Sequence, residues 1–235
     1  MRLFSPEHLV ALAATALGAL LLCAVARRLG ERPAAMLARA LAILVLGGFV
    51  AEHATYLVRG TWSARVNLPL QLSDAVTLVT VVALWRPRTG LLTELVWFWA
   101  LSASLQAVLT PDLGQTFPDI LYFTHFVTHG GAILAAGLLV LGLRRLPRPW
   151  AVWRVFGLTA AFAVLAAVGC LVTGGNYMYL RDKPSNGSIL DPLGPWPWYV
   201  LAAAALGLAM LLVLQAIARV VAWREQARLA PAGRP

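Results

Sequence analysis

"AAMLARALAILVLGGFVAEHATYL", residues 34–57, is almost uninterrupted apolar sequence, broken by Arg39 near one end and by Glu52 and His53 near the other. At 1.5 Å per residue, a helix of this length reaches about 36 Å, enough to cross a hydrocarbon layer of roughly 30 Å. Working outward, comparable stretches recur at 5–26, 66–85, 89–109, 117–143, 149–174 and 195–222. The pattern predicts an all-α polytopic membrane protein: one seven-transmembrane-helix bundle over residues 1–222, then a polar cytoplasmic tail at 223–235. Breakers at Gly30 to Pro33, Pro87 to Gly90, Pro111 to Gly114 and Pro147 to Pro149 mark short connections, and a longer segment runs from Gly174 to Pro197.

Composition agrees. Of 235 residues, 60% are apolar and 12% charged, far from the charged quarter, about 25%, of a soluble domain. The net charge of +9 invites a nucleic-acid reading, but the cations sit at the ends of apolar runs rather than along a soluble face, so no nucleic-acid partner is expected. Cys23 and Cys170 fall in separate apolar runs near opposite faces and read as small buried hydrophobes, not as a disulfide or a metal site. No small-residue cleavage site precedes Arg27 and Arg28, so the first run reads as a retained helix rather than a signal peptide.

Lys and Arg are retained on the cytoplasmic side, which sets the orientation. Arg27, Arg28, Arg32 and Arg39 flank the first connection, Arg86 and Arg88 the third, Arg144, Arg145, Arg148 and Arg154 the fifth, and Arg219, Arg224, Arg228 and Arg234 the C-terminus. Only Arg2, Arg59, Arg65, Arg181 and Lys183 lie opposite. The N-terminus is therefore expected outside and the C-terminus in the cytoplasm, a parity that seven spans satisfy.

In that topology the polar residues gather in the outer half. Glu52 and His53 end the second helix, and Asn67, Gln71, Ser73 and Asp74 enter with the third, at depths of roughly 2 to 12 Å. Gln106 closes the fourth helix, His125 and His129 follow on the fifth at roughly 12 to 18 Å, and Asn176 and Tyr177 leave the sixth. Glu94 alone lies near the inner face. Ionisable groups in hydrocarbon are costly, so they are expected to face a cavity and to mark function. Asn67, Gln71 and Gln106 taken singly also suit interhelical hydrogen bonding. His125 and His129, four apart, share one helix face, while Ser73 points about 100° away from Asp74. Gly130 and Gly131 read as close-packing residues. The loop at 174–199 carries Trp196, Trp198 and Tyr199 in positions suited to an aromatic belt, and Asn176, Tyr177, Tyr179 or Asp191 in positions suited to a cavity mouth.

"LPLQLSD" (68–74), "LQAVLTPDL" (105–113), "THGG" (128–131), "NYMYL" (176–180) and "KPSNGSILDPLGPWPWY" (183–199) resemble, in order, the hallmark segments of the YwaF family. These are bacterial integral membrane proteins related to eukaryotic transmembrane protein 164. The resemblance implies a multi-pass protein of the bacterial inner (plasma) membrane, embedded among phospholipids or lysophospholipids as its partners. It also implies chemistry similar to that of membrane acyltransferases that move fatty acyl chains onto lysophospholipids, with no cofactor. Those relatives carry a Cys after the "LPL" block where this sequence has Ser73, and the histidine of the "HGG" block matches His129. A hydroxyl is essentially un-ionised at neutral pH and needs an adjacent base, whereas a thiol is already partly ionised.

The expected site therefore has Ser73 as nucleophile, His129 or His125 as general base, and Asp74 or Glu52 orienting the imidazole. Asn67, Gln71, Gln106, Glu52, His53, Asn176 and Tyr177 are candidate substrate-binding groups, amides among them serving an oxyanion. Two alternatives stand beside acyl transfer or ester hydrolysis. His125 and His129 suit two ligands of one zinc ion, with His53 or Asp74 as a third. A non-catalytic protein that binds or transports a lipid or small ligand would also explain an outer polar cavity. A retinal-type receptor is set aside, because the only lysine, Lys183, lies in a loop.

Overall fold

The computed structural model describes residues 2–86, 90–184 and 188–229. Arg88, residues 185–187 of the "KPSNGSILDPLGPWPWY" block, and residues 230–235 of the expected tail, Arg234 included, lie outside the described residues, as do the side chains of Arg228 and Leu229.

Among the described residues all regular structure is helical. The helices are α1 (Pro6–Arg28), α2 (Glu31–Val58), α3 (Leu72–Trp85), α4 (Gly90–Leu109), α5 (Ile120–Gly142), α6 (Ala151–Thr173) and α7 (Trp198–Leu229). Six of them are long and apolar enough to cross a membrane; α3 is apolar but has only 14 residues.

The short α3 departs from the expected span at 66–85, because residues 59–71 are irregular chain and helix begins only at Leu72. Pro69 offers no N–H and biases Leu68 away from helical geometry, which explains the delay. Of the polar residues expected on this helix, Asn67 lies in the irregular segment and Gln71 is the N-cap of α3, so only Ser73 and Asp74 stand within it. Asp74, third residue of the helix, reaches back to the backbone N–H of Gln71, half of a capping box.

α5 lies at the centre, in contact with α1, α2, α3 and α4, and α2 packs most extensively against it and against α3. Small residues permit the approach. A side chain at Gly131 would stand 2.5 Å from Val45 Cγ2, and one at Gly48 would stand 2.7 Å from Val127 Cγ1, so the α2 and α5 backbones are as close as glycine allows. α1 packs on the same helix at Gly130, Gly137 and Gly142, against Thr15, Cys23 and Ala26. The core is completed by Val76, Leu84, Phe98, Leu138 and Leu139. Outward-facing Leu and Val remain exposed on α1, α2, α6 and α7, as apolar surface turned to lipid requires.

The two ends of the bundle differ. At the arginine-rich end, buried Glu94 accepts from Arg148 Nε at 2.9 Å and from Arg154 Nη2 at 2.9 Å, and its Oε1 also takes the Arg148 backbone N–H at 3.0 Å. There α7 continues to Leu229, and Glu225 on it pairs with Arg27 and Arg144, each at 3.2 Å. At the opposite, polar end Arg59 pairs with Asp119 at 3.0 Å. Asp119 is also the N-cap of α5, accepting from Leu121 N–H at 2.8 Å. That backbone hydrogen bond, and then Arg59, hold its carboxyl below the usual aspartate range.

α4 and α5 each widen into π-helical turns, Ala100–Ser104 and Gly137–Gly142. The first faces α5 and sits between α3 and α5 near the middle of the bundle. Such turns recur at functional positions.

Candidate functional site at the polar end

Most of the expected binding residues hold loops together. The irregular segment 59–71 has backbone groups that no helix satisfies, and side chains supply the partners. His53 Nε2 stands 3.1 Å from the Asn67 carbonyl, and the Asn67 side chain accepts from Ser63 N–H at 2.9 Å. Tyr177, fully buried, donates its hydroxyl to the Ala64 carbonyl at 2.6 Å and accepts from Leu68 N–H at 3.1 Å. Gln71 accepts from Met178 N–H at 2.7 Å and reaches the Asn176 carbonyl at 3.5 Å. Asn176 folds its own loop, accepting from Arg181 N–H and donating to the Asp182 carbonyl. These contacts clip 59–71 to 174–184.

The same loop carries the aromatic residues. Trp196 and Trp198 are exposed, as a belt position requires, while Tyr199 turns inward and donates to the Tyr179 carbonyl at 2.6 Å. Tyr179 donates to Asp112 at 3.1 Å, and burial, with Asp112 beside it, pushes its phenol up so that it stays a donor. Cys170, buried in α6, accepts from Tyr177 N–H at 3.1 Å. Gln106 bonds to Thr110 one turn on, at the end of α4.

Histidines close the end of α4. The last carbonyls of a helix lack intrahelical partners. His125 Nε2 lies 3.1 Å from the Ala107 carbonyl, and His8 Nε2 lies 2.9 Å from the Val108 carbonyl. His8 Nδ1 accepts from Phe4 N–H at 3.0 Å, which fixes its proton on Nε2. Sequence reasoning missed His8. The signal was available, because the expected topology already placed the start of α1 in the same half as His125.

His129 differs. Its ring lies 4.4 Å from that of His125, edge to face, and its Nδ1 is buried with no hydrogen-bond partner. Ser73 is half-buried, its carbonyl receives Thr77 Oγ1 at 2.9 Å, and its hydroxyl engages no partner among the described residues. Ser73 and His129 do not hydrogen-bond to each other. Ser104 in the π turn and Thr80, two turns along α3 from Ser73, also have buried hydroxyls without partners. Asp74, His125 and His129 are half-buried. Glu52 and Asp74 stand within electrostatic range of one another and of Tyr56.

Among the described residues no three His, Cys, Asp or Glu side chains converge as metal ligands. His125 and His129 therefore gain no third donor from His53 or Asp74, and His53 is turned to the Phe49 and Asn67 carbonyls instead.

The order of these elements, with "LPLQLSD" opening α3 and "THGG" within α5, is that of a family. The sequence profile of the TMEM164 family matches residues 3–215. The chain belongs to the TMEM164 family. The match spans all seven helices up to the middle of α7, so this TMEM164 family member carries both π turns, the clipped loops and all four histidines within the family's region. The resemblance to transmembrane protein 164 read from the sequence is borne out. No curated protein and no solved structure matches the chain.

Proposed function

We propose that this multi-pass membrane protein transfers or hydrolyses lipid acyl esters, with Ser73 as nucleophile and His129 as general base. One observation carries the reading: of the four histidines, three are turned to backbone carbonyls and only His129 is left with a buried ring nitrogen and no partner. Ser73 is likewise uncommitted, while its neighbours Asn67 and Gln71 are fixed to loops. A buried polar group without a partner costs about 1–3 kcal/mol, and such groups are retained where a ligand or a reaction uses them.

The chemistry follows the serine–histidine pattern. His129 takes the Ser73 hydroxyl proton as Oγ attacks the ester carbonyl carbon. The tetrahedral intermediate collapses, the bond to the lipid alcohol breaks, and that alcohol leaves with the proton held by His129. A second lipid hydroxyl, or water, then attacks the acyl-serine, giving its proton to the imidazole and finally to Ser73. In this reading Asp74 or Glu52 orients the imidazole, and His125 packs edge to face against His129. In this reading the N-terminus lies outside, the arginine-rich end faces the cytoplasm of a bacterial cell, α3 with its clipped loop is the seventh span, and membrane phospholipids are the substrates.

The lack of a hydrogen bond between Ser73 and His129 favours one second reading, a non-catalytic protein that binds or transports a lipid or small ligand. A fluorophosphonate probe separates the two. Labelling of the purified protein that disappears in both Ser73→Ala and His129→Ala supports the acyl-enzyme, and labelling unchanged by Ser73→Ala removes it.

A further inference from the structure

A second site lies at the opposite end. The end of α1, the start of α2 and the end of α5 enclose an open cavity of about 410 Å³, within the size range of small-ligand pockets, about 300–1,000 Å³. Arg27, Arg32, Arg144 and Arg145 line it against one acidic residue, Glu31. Two of these arginines are answered from behind: Glu225 on α7 takes Arg27 Nη2 and Arg144 Nε, and Arg27 Nε also donates to the Leu141 carbonyl at 2.9 Å. These contacts fix the two guanidinium groups in place. The others are not matched in this way. Arg145 Nε is buried with no acceptor, and Arg32 is exposed at the rim.

Unwinding of α5 produces this arrangement. Its π-helical end leaves Leu143 and Arg145 donating N–H to the Leu138 and Leu139 carbonyls, and Arg144 takes a left-handed conformation with φ of 56°. A non-glycine residue there is strained. The turn brings two consecutive arginines to one cavity, opposite Arg27 and Arg32.

We propose that this cavity binds a phosphate group, carried by an anionic phospholipid head group or free in solution. The guanidinium fork matches phosphate oxygens in pairs. A buried guanidinium N–H without an acceptor is satisfied by one of those oxygens. Basic pockets between membrane helices are suited to such head groups. This site is separate from Ser73 and His129, and it stands or falls independently of the acyl chemistry.

The test uses the full-length protein in nanodiscs of phosphatidylcholine, with or without a minor fraction of phosphatidylglycerol, and reads retained lipid by native mass spectrometry. Wild type is expected to keep phosphatidylglycerol in preference to phosphatidylcholine. Arg32→Gln with Arg145→Gln lowers that retention about tenfold, the loss expected for charge-assisted hydrogen bonds. Arg59→Gln, at the polar end, leaves it unchanged. Inorganic phosphate alone is the second arm: a rise in melting temperature in wild type but not in the double variant, without lipid preference, assigns the phosphate to a soluble source. Equal retention of both lipids with no response to phosphate overturns the proposal, and so does a double variant that binds as wild type does. Where the double variant fails to fold by gel filtration, Arg32→Gln alone, at an exposed position, makes the same comparison.

Discussion

His125 and His129 stand edge to face with ring centroids 4.4 Å apart, yet only His125 is anchored, through Nε2 to the Ala107 carbonyl. The difference assigns them different work. His125→Ala removes a donor from the end of α4 and uncovers the face of His129, and it is expected to destabilise the protein by about 1–3 kcal/mol. His129→Ala removes an imidazole without a hydrogen bond to lose, so it is expected to abolish probe labelling while leaving stability nearly unchanged. Thermal unfolding in detergent beside fluorophosphonate labelling measures both. A pair of variants with the opposite pattern would assign the chemistry to His125.

Tyr177 is the clip between the two irregular segments, and its hydroxyl is shared by the Ala64 carbonyl and Leu68 N–H. Tyr177→Phe keeps the ring and leaves both backbone groups without that partner, at an expected cost of about 1–3 kcal/mol. Proteolysis should then open 59–71 and 174–184 together, because neither segment has helical hydrogen bonds of its own across most of its length. Cleavage confined to one of them would contradict the clip.

Gly131 tests the central packing. Its missing Cβ would lie 2.5 Å from Val45 Cγ2, so Gly131→Ala forces α2 and α5 apart and should cost about 1–3 kcal/mol, the range for overpacking. Val45→Ala vacates that space. The double variant is expected to recover part of the loss, a coupling readable in a double-mutant cycle of melting temperatures. Additive effects would place the contact elsewhere.

These contacts also show what could be read from sequence. The apolar runs marked where each helix lies, and six of the helices have the length and apolarity that a membrane crossing demands locally. Gly130 and Gly131 were legible as packing residues for a similar reason, since small side chains in a membrane helix have few other uses. The start of α3 was misplaced by six residues although Pro69 was visible, because an apolar run outweighed one breaker in the reading. The partners of Gln71 and Tyr177 were hidden, because they join segments more than a hundred residues apart, and a polar side chain near a membrane surface looks alike whether it meets a substrate or a distant backbone group. His8 was overlooked because its partner, the end of α4, is set by the fold.

Asp119 gives the protein a pH dependence of known sign. Its carboxylate caps α5 through Leu121 N–H and pairs with Arg59, and both contacts favour the charged form. The folded-state pKa is therefore below the unfolded value of about 3.9. A group depressed in this way contributes stability at pH values above the unfolded pKa and loses it as pH falls through the folded pKa. Asp119→Ala should thus lower the melting temperature by a constant amount from neutral pH down to about pH 5, and the difference from wild type should shrink below about pH 4, where the native carboxylate also takes up a proton. The contact is exposed, so added salt should reduce the Arg59 part of the effect while leaving the cap. Melting curves of both proteins across acid pH, at low and high salt, make the measurement. A difference that grows as the pH falls would mean that the carboxylate is not held in its charged form by these two contacts.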